Sequence, residues 1–407
     1  MGGSGERVAE VAIVSDRPTL VYVLPDKIGG VFSIVANLLE YRRSDEFDYR
    51  AVLTRNRRDD AARSNVRLAA DSQTTVTYTL PDENMYAVVR RLARGIGGGP
   101  GVLVCNDFAE LLMASLLDPE KTVVQILHGD YDYYYDLAAT HDPLVHAFVA
   151  YSRVVFDNLL QRLPHRRDSI FWLPYGIPVG DVRREPAARM SAPLRLIFVG
   201  RLDEAKGVLL LPAIDRLLGE AGVPVAWTIV GAGPAGGALH DTWRDASGVR
   251  WIEHATSADV RLLCAEHDVF VLPTRAEGLS VATMEAMSAG AVPVVSDLPS
   301  MVELVDGDCS GLRVRTGDAH AFAAAIETLA RDRDRLTAMS AAARRLVVER
   351  YDIRSRAAGY QDLFARWRDL YRPRPAVPPR AYGSRLDRPW IPNAVVRLVR
   401  STLRAAR

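Results

Sequence analysis

Short runs of apolar and β-branched residues alternate along the chain with longer segments whose apolar residues recur at helical spacing. In the first half, seven runs predict β-strands, at residues 19–25, 49–54, 74–80, 101–106, 122–128, 147–151 and 170–173. In the second half, six runs predict strands, at residues 194–199, 227–230, 250–253, 269–272, 292–296 and 312–314. Helical patterns lie between them, for example at residues 31–43 and 319–331. This alternation predicts an α/β protein with parallel sheets built from βαβ units.

A polar segment separates the two sets of strands. Residues 180–193 contain proline and no apolar periodicity, which is typical of a linker. A chain of 407 residues is also long enough for two domains of about 150–200 residues each. We therefore predict an N-terminal lobe over residues 1–185 and a C-terminal lobe over residues 190–351, followed by a Pro-rich basic tail over residues 373–407.

Composition narrows the class of protein. Hydrophobic residues make up 48% and charged residues 25% of the chain, as in ordinary globular proteins. No segment approaches the ~18 apolar residues of a membrane span, and the first residues do not resemble a secretory signal. Cys105, Cys264 and Cys309 are far apart, so we expect neither a disulfide framework nor a zinc site, and we expect a cytoplasmic protein. The net charge of +1 suggests no nucleic-acid partner.

The most informative segment is 269–297, in which an apolar strand runs into a loop containing Gly278 and a helix begins near Val281. A loop and a helix N-terminus at the carboxyl end of a strand form a typical site for an oxygen-rich or anionic ligand. Glu277 and Glu285 could there accept hydrogen bonds from vicinal hydroxyls. Alternatively, Glu277 is a helix-start acid favoured by the helix dipole, and Glu285 is a solvated one.

The order of residues in this segment resembles the signature of the GT-B-fold retaining glycosyltransferases of family 4, in which seven residues separate two glutamates. The matching residues are Glu277, Gly278, Leu279, Ser280, Glu285, Ala286, Gly290, Pro293, Val294 and Val295. The resemblance implies that Glu285 binds the ribose hydroxyls of a nucleotide-sugar donor, and that Glu277 and the backbone of residues 278–280 hold the transferred sugar. It also implies two Rossmann-like lobes across a cleft, with a helix over residues 352–372 returning to the first lobe.

Two cations follow the predicted strand at residues 194–199. Arg201 and Lys206 lie at a strand-to-helix junction, where they could bind a diphosphate through charge-assisted hydrogen bonds. A solvated loop is the alternative. The stretch resembles the G-R-L-x-x-x-K-G element of the same family, which implies that both side chains neutralise the leaving diphosphate. Lys206 is one of only three lysines in the chain.

The first lobe resembles the family at two further places. Gly29 and Gly30 enter a helix, where backbone N–H groups can bind phosphate oxygens, although a simple turn is the alternative. His128 ends a predicted strand and resembles the family's histidine near the transferred sugar; a structural histidine is the alternative. Tyr175 stands where the family commonly has asparagine, so no site role is assigned to it. The resemblance extends over residues 19–372.

A tyrosine-rich loop follows His128. Residues 130–136 read DYDYYYD, and such a loop could stack on a sugar face and hydrogen-bond its hydroxyls. We predict that Asp130, Tyr131 and Tyr133 contact the acceptor. Packing against the other lobe is the alternative.

A rival reading rests on another glycine-rich loop. Gly231, Gly233 and Gly236 form G-x-G-x-x-G after a predicted strand, with Glu253 about 20 residues later, as in flavin or nicotinamide oxidoreductases. That fingerprint normally opens its domain, whereas an earlier βα unit precedes it here. A GT-B nucleotide-sugar epimerase is a further alternative.

The sequence thus predicts a hexosyltransferase that moves a sugar from a nucleotide diphosphate to a glycan, lipid-linked or small-molecule acceptor. We expect no cofactor other than the nucleotide sugar. We expect no metal, because Arg201 and Lys206 can carry the neutralising charge. The family resemblance implies retention of the anomeric configuration.

The tail has the residue pattern of a basic amphipathic helix. Residues 373–407 hold eight Arg and one Asp, a net charge of 8 − 1 = +7. Within residues 394–407, a helix would place Val395, Leu398, Val399, Thr402, Leu403 and Ala406 on one side and Arg397, Arg400, Arg404 and Arg407 on the adjacent arc. Such a helix suggests peripheral contact with the inner membrane face. The alternative is that its apolar side packs on the protein's own surface.

Overall fold

The computed structural model describes residues 17–27, 29–43, 45–58, 66–114, 120–180, 182, 192–243, 248–374 and 384–405. Most of the predicted linker at residues 180–193 lies outside them. Two parallel sheets dominate the described structure, one of seven strands and one of six. All thirteen predicted strands are confirmed, with ends that differ by at most two residues. Their bounds are β1 Thr19–Pro25, β2 Asp48–Asn56, β3 Ser72–Tyr78, β4 Gly101–Cys105, β5 Lys121–Leu127, β6 Ala147–Ala150, β7 Ile170–Trp172, β8 Leu194–Val199, β9 Val225–Val230, β10 Val249–Ile252, β11 Val269–Leu272, β12 Val292–Ser296 and β13 Leu312–Val314.

Helices connect the strands and cover both sheets. Their bounds are α1 Gly30–Glu40, α2 Met85–Ile96, α3 Phe108–Ala114, α4 Asp132–His141, α5 Arg153–Arg162, α6 Leu211–Glu220, α7 Gly236–Thr242, α8 Ser257–Ala265, α9 Val281–Ala289, α10 Ala319–Arg331, α11 Arg333–Tyr351, α12 Ile353–Ala365, α13 Trp367–Leu370 and α14 Asn393–Ala405. The helix predicted at 31–43 is confirmed as α1 but ends at Glu40. Every residue of β4 and β5 is buried, as expected for strands covered on both faces.

Each sheet has one point where the strand order reverses. The first sheet runs β3-β2-β1-β4-β5-β6-β7 and the second runs β10-β9-β8-β11-β12-β13. The chain therefore moves outward in opposite directions from the β1/β4 pair in the first lobe and from the β8/β11 pair in the second. Loops at the carboxyl ends of such a pair diverge and leave a crevice, which is where open α/β sheets bind ligands.

The last helices before the tail pack on the first lobe. The Thr122 hydroxyl donates to the Trp367 carbonyl (2.8 Å), and the Phe364 ring meets Tyr22 edge-on with centroids 6.2 Å apart. The helix expected over residues 352–372 is interrupted at Arg366, which separates α12 from α13. The described helices include none that is long and apolar enough to cross a membrane.

The two lobes also touch near this crossing. The Glu303 carboxylate, from the second lobe, accepts hydrogen bonds from the backbone N–H groups of Arg153 and Val154 at the start of α5, the latter at 3.3 Å. The Tyr351 hydroxyl donates to the Glu303 carbonyl (3.3 Å). A carboxylate at a helix N-terminus is favoured by the exposed N–H groups there. This contact joins the second lobe to the base of α5.

Candidate active site

Two loops of the second lobe meet at its strand-order reversal, one after β8 and one after β11. The backbone N–H of Arg275 donates to the Ala205 carbonyl (2.8 Å), and the Thr274 hydroxyl donates to the same oxygen (3.0 Å). Gly207 adopts φ 70°, and a Cβ there would collide with the carbonyl of Pro273. Glycine is therefore required at this position, both for the left-handed backbone and for the close approach of the loops.

The side chains of Lys206 and Glu277 form an ion pair between these loops. The Lys206 side chain is 27% exposed and that of Glu277 is 13% exposed, so both remain reachable from the cleft. The Glu277 carbonyl also accepts a hydrogen bond from the Ser300 hydroxyl (2.8 Å). The sequence placed these two groups 71 residues apart, and the fold brings them into direct contact.

Arg201 lies on the same loop but pairs elsewhere. Its Nε is 3.1 Å from a carboxylate oxygen of Asp203, and its side chain is 67% exposed. Asp203 also accepts from the backbone N–H of Lys206 (2.9 Å), which fixes the turn that presents the lysine. Arg201 is thus an exposed cation beside the Lys206–Glu277 pair and is not part of it.

Glu285 is buried one turn into α9, so the interpretation as a solvated helix acid is wrong. It is 5% exposed, and burial raises the pKa of its carboxyl from 4.5 to about 7. A hydrogen bond from Ser257 and the charge of Arg261, whose nitrogen is 3.9 Å away, oppose that rise. Both partners belong to α8. Ser280 caps α9 by accepting from the backbone N–H of Thr283 (3.3 Å).

In the first lobe, both ring nitrogens of His128 are held by protein groups. Asn106 donates through Nδ2 to the Val23 carbonyl (2.7 Å), which turns its Oδ1 toward His128 Nε2 at 2.7 Å. Nε2 must therefore carry the proton, and Nδ1 accepts from the Tyr175 hydroxyl. Burial lowers the pKa of the imidazole to about 3. The ring is neutral at physiological pH.

The two lobes approach closely at Gly278. A Cβ on this glycine would lie 2.6 Å from the Tyr151 hydroxyl and 3.1 Å from the His128 carbonyl. Tyr151 stacks on Tyr175 with ring centroids 4.9 Å apart, and Tyr175 stacks on His128 at 5.7 Å. The loop that follows β11 therefore faces an aromatic stack from the first lobe across the cleft. Leu279, next to Gly278, is buried.

The predicted acceptor residues divide into two groups. Asp130 accepts hydrogen bonds from the Tyr135 hydroxyl (2.5 Å) and Asn158 Nδ2 (3.1 Å), so its carboxylate is used within the first lobe. Tyr131 is 40% exposed; burial and then the charges of Glu277, Asp130 and Asp203 raise the pKa of its phenol. Its ring thus lies near the acids of the second lobe. Tyr133 is half-exposed and donates to Asp107.

The packing of the protein does not require glycine at positions 29 and 30, since a larger residue would fit at either. A Cβ at either position would meet no atom within 4 Å, and Gly29, which precedes α1, has φ 168°, an extended conformation open to any residue. The open space in front of them lies at the carboxyl end of β1, beside the strand-order reversal of the first sheet. Room for a ligand remains at this turn.

Comparison with known protein families gives a match in the second lobe. Residues 193–332 match the family model described as Glycosyl transferases group 1. The second lobe contains a glycosyl transferases group 1 domain.

The chain also resembles individual curated proteins. It is 34% identical over 174 residues, 40% of its length, to the putative colanic acid biosynthesis glycosyltransferase WcaL of Escherichia coli (strain K12). It is 30% identical over 205 residues, 45% of its length, to a GDP-mannose-dependent alpha-(1-6)-phosphatidylinositol monomannoside mannosyltransferase of Mycobacterium tuberculosis. These alignments span 43% and 52% of the relatives' own lengths.

Solved structures extend the likeness to both lobes. Anabaena Alr3699/HepE in complex with UDP and glucose superposes with a TM-score of 0.69 at 16% identity, covering 86% of this chain and 100% of that one. Sucrose-phosphate synthase from Thermosynechococcus elongatus superposes with a TM-score of 0.70 at 13% identity, covering 86% and 99%. The predicted GT-B fold, two Rossmann-like parallel-sheet lobes, is confirmed.

The glycine-rich loop of the group 1 domain has a structural explanation. The Leu202 N–H donates to the Ala232 carbonyl (3.0 Å), and the Leu202 carbonyl accepts from Ala235 (2.8 Å). A Cβ on Gly231 or Gly233 would collide with the carbonyls of Gly200 and Leu202. These glycines allow two loops to pack together, and the Ala235 N–H of this turn is engaged by the Leu202 carbonyl. The G-x-G-x-x-G spacing thus has a packing explanation, and it does not require the oxidoreductase interpretation.

Sequence reasoning missed the residues that position His128. Tyr175 was set aside as a departure from the family pattern, and Asn106 was seen only as the end of a predicted strand. The available signal was the run of polar residues at the carboxyl ends of β4 and β5. Across the described residues, no group of three or more His, Cys, Asp or Glu side chains could hold a metal ion.

Proposed function

We propose that this protein is a retaining glycosyltransferase of the family 4 type, which transfers a hexosyl group from a nucleotide-diphosphate donor to an acceptor bound mainly by the first lobe. The observation that carries the proposal is the Lys206–Glu277 pair at the strand-order reversal of a group 1 domain. A cation suited to a diphosphate and a carboxylate suited to sugar hydroxyls meet at one point of one crevice.

The cations act on the leaving group. As the bond between the sugar and the diphosphate breaks, negative charge grows on the diphosphate oxygens. Lys206, held in place by its loop, and the exposed Arg201 stabilise this charge more in the transition state than in the ground state. We propose that they do so without a metal ion. Unchanged turnover after treatment with EDTA supports this point, and loss that Mg²⁺ restores contradicts it.

The acids bind hydroxyl groups. Glu277 accepts from the transferred sugar while it remains paired with Lys206, which links sugar position to phosphate position. Glu285 accepts from the ribose, and for this it must be ionised, although burial favours its protonated form. The turn at Gly29 and Gly30 offers backbone N–H groups to the donor from across the cleft.

His128 acts as a neutral group. Because its pKa lies near 3 and both nitrogens are engaged, it supplies no proton at neutral pH in the resting site. We propose that the rigid His128–Tyr175–Tyr151 stack forms the wall against which the transferred sugar and the acceptor are placed, with Tyr131 and Tyr133 exposed at its rim.

The names of the relatives indicate which classes of donor and acceptor to consider for this protein. The Mycobacterium tuberculosis relative is named for GDP-mannose and a phosphatidylinositol mannoside, and the Anabaena structure holds UDP and glucose. We propose a glycan or lipid-linked acceptor and a place of action on the cytoplasmic side of the membrane.

A panel of nucleotide sugars tests the function. UDP-, GDP- and ADP-sugars, with NAD and FAD as controls, are screened by thermal shift, since a ligand that binds only the folded state stabilises it. We expect one nucleotide class to raise the melting temperature and its free diphosphate to do the same. NMR of the product formed from that donor gives the anomeric configuration. Stabilisation by NAD or FAD alone, or inversion at the anomeric carbon, would contradict the proposal.

A further inference from the structure

The C-terminal tail is fastened to the first lobe by polar contacts. Asn84 Nδ2 donates to the carbonyls of Arg388 (2.9 Å) and Ile391 (2.7 Å), and the Asn84 N–H donates to Asn393 Oδ1 (2.8 Å). The Asp387 carboxylate accepts from the Met85 N–H (2.9 Å). These bonds set the direction in which α14 leaves the turn that precedes it.

Two arginines of α14, Arg400 and Arg404, face the protein. Arg400 pairs with Asp387 (2.6 Å) and donates to the Glu83 carbonyl (2.7 Å), while Arg404 pairs with Asp82. Val396, on the same side of the helix, is 0% exposed. Residues 393, 396, 400 and 404 are spaced at three and four, so they share one face. The docked face is therefore the polar one.

The apolar side of α14 points outward. Val395 is 47%, Leu398 68% and Leu403 59% exposed, and Trp390 just before the helix is 76% exposed. The sequence left packing of this side on the protein's own surface as the alternative. Val399 is half-buried, but Val395, Leu398 and Leu403 are exposed, and hydrogen bonds and ion pairs hold the helix by its other side. Ala406 and Arg407, which the sequence also assigned to these two sides, lie outside the described residues.

These exposed side chains are concentrated. Of the 13 large hydrophobic residues exposed in the described structure, four fall within residues 390–403. Scattered exposed hydrophobics are ordinary, whereas a contiguous ridge with charged neighbours marks an interaction surface. We call Trp390, Val395, Leu398 and Leu403 the apolar ridge.

We propose that the apolar ridge inserts into the surface of a bilayer containing anionic phospholipid. Arg385 and Arg397 are exposed beside it, and the tail as a whole carries a net charge of +7, from eight Arg and one Asp in residues 373–407. A tryptophan and aliphatic side chains beside arginines suit the boundary between headgroups and acyl chains. A second copy of the chain fits less well, because it would bring two tails of +7 together.

The place where the tail contacts the first lobe also bears on which substrate the protein would use at a bilayer. The tail contacts the protein between residues 81 and 90, which follow the carboxyl end of β3. That edge of the first sheet is the one at which β1 ends and on which Gly29 lies, because all strands of the sheet are parallel. A bilayer at the apolar ridge would therefore lie next to the first lobe, to which we assign the acceptor. This orientation makes a lipid-linked acceptor the natural substrate, a step that rests on the proposed function; bilayer binding itself does not.

Vesicle flotation of the full-length protein tests the ridge. Vesicles of 30% phosphatidylglycerol in phosphatidylcholine are compared with pure phosphatidylcholine, at low salt and in 0.5 M NaCl. We expect binding to the anionic vesicles that salt reduces. The double variant Trp390→Ser/Leu398→Ser should lower binding at least about tenfold, since two exposed apolar anchors are lost. The matched control, Leu262→Ser/Val348→Ser, removes two exposed hydrophobic residues elsewhere and should bind as the wild type does.

Two further measurements separate the possible outcomes. Donor-induced thermal shift should be unchanged in the ridge variant, which shows that it is folded and separates failure of this proposal from failure of the proposed function. Light scattering reports self-association. The proposal is overturned if the wild type does not float, if the ridge variant floats equally well, or if the wild type is a dimer that the ridge variant converts to monomers.

Discussion

The two lobes share an architecture but offer opposite chemistry to the cleft. The second lobe presents charge: the partly exposed pair of Lys206 and Glu277, with Arg201 beside it. The first lobe presents neutral aromatic groups, in which Tyr175 and Asn106 occupy both nitrogens of His128. Both sets lie at the carboxyl ends of strands in parallel sheets, so the difference comes from the loop residues and not from the fold.

This contrast suggests a division of labour. A diphosphate is bound best by cations on a fixed loop, whereas the apolar faces of sugar rings are bound best by aromatic rings. The lobes also differ in how their groups are held. Lys206 and Glu277 keep exposed surface that a ligand can use, whereas the groups around His128 are occupied by one another. We therefore expect changes in the second lobe to alter chemistry and donor binding, and changes in the first lobe to act through position.

The largest effect is expected for Lys206→Ala. Loss of a charge-assisted hydrogen bond to the diphosphate should lower kcat/KM by about 10- to 150-fold, mostly through kcat. Arg216→Ala, which removes an exposed cation of the same lobe from a surface ion pair, is the control and should leave kcat/KM unchanged. Steady-state kinetics with the donor found in the panel decide the matter. Wild-type turnover in the Lys206 variant would remove this residue from the site.

The next effect concerns Glu285 and pH. Because the pKa is raised to about 7 from 4.5, ionising this group costs stability as pH rises from about 4.5 to 7, and the cost persists above pH 7. Glu285→Gln should therefore stabilise the unliganded protein at pH 8 by up to about 3 kcal/mol and have little effect at pH 4.5. Denaturant unfolding at both pH values measures the difference. Equal effects at the two pH values would show that the carboxyl is not perturbed.

The same substitution should weaken nucleotide binding. Affinity for the free nucleoside diphosphate should fall about tenfold, since a neutral amide oxygen accepts more weakly from two hydroxyls than a carboxylate does. In the wild type, affinity should rise with pH through about 7 as Glu285 ionises, and the Gln variant should lack this dependence. Calorimetry across pH 5.5–8.5 tests both statements. Unchanged diphosphate binding would mean that Glu285 does not contact the ribose.

A smaller effect is expected for Tyr175→Phe. The ring stack remains and Asn106 still holds the proton on Nε2, but Nδ1 of His128 loses its donor, so the imidazole is held by one hydrogen bond instead of two and can change orientation. We expect kcat to fall about three- to tenfold with donor affinity unchanged, as for the loss of one hydrogen bond. Histidine NMR should show a shifted Nδ1 resonance with the proton still on Nε2. Tyr360→Phe is the control: this buried tyrosine of α12 donates to the Leu173 carbonyl (2.8 Å), and losing that bond should affect stability alone.

The smallest effect is expected for Tyr131→Phe. Removing one hydroxyl at the rim should raise the KM for the acceptor about fivefold, with the donor Kd unchanged. Tyr41→Phe, which alters a phenol after α1, serves as the comparison. If the donor Kd changes and the acceptor KM does not, Tyr131 belongs to the donor side, and the division between the lobes is drawn in the wrong place.

Most of the fold could be predicted from the sequence, because each strand is a local run of apolar residues. Recognising such a run as a strand requires no knowledge of contacts with distant parts of the chain. The second-lobe site was also readable, since Glu277 and Glu285 lie in one loop and helix and Lys206 follows a neighbouring strand. The first-lobe site was not. His128 depends on Asn106 and Tyr175, which come from two other loops, and only the packed sheet shows that they meet.

The burial of Glu285 and the orientation of α14 could not be predicted from the sequence for a related reason. A helix pattern gives the angles between side chains but not the direction of the neighbouring surface. Glu285 faces α8, and α14 turns Arg400 and Arg404 inward, where they pair with Asp387 and Asp82. Partners of this kind are fixed by tertiary contacts, so periodicity alone cannot supply them.

The crossing of α12 and α13 onto the first lobe has a consequence for synthesis on the ribosome. Thr122 and Trp367 are 245 positions apart, so the first lobe made is the last to be completed. Until the final helices emerge, the surface that receives Phe364 beside Tyr22 stays open to solvent. The second lobe, whose strands all lie within residues 194–314, has no such dependence in its sheet. The first lobe should thus be completed after the second lobe has been synthesised, and emergence of α12 and α13 is the event that covers its open surface.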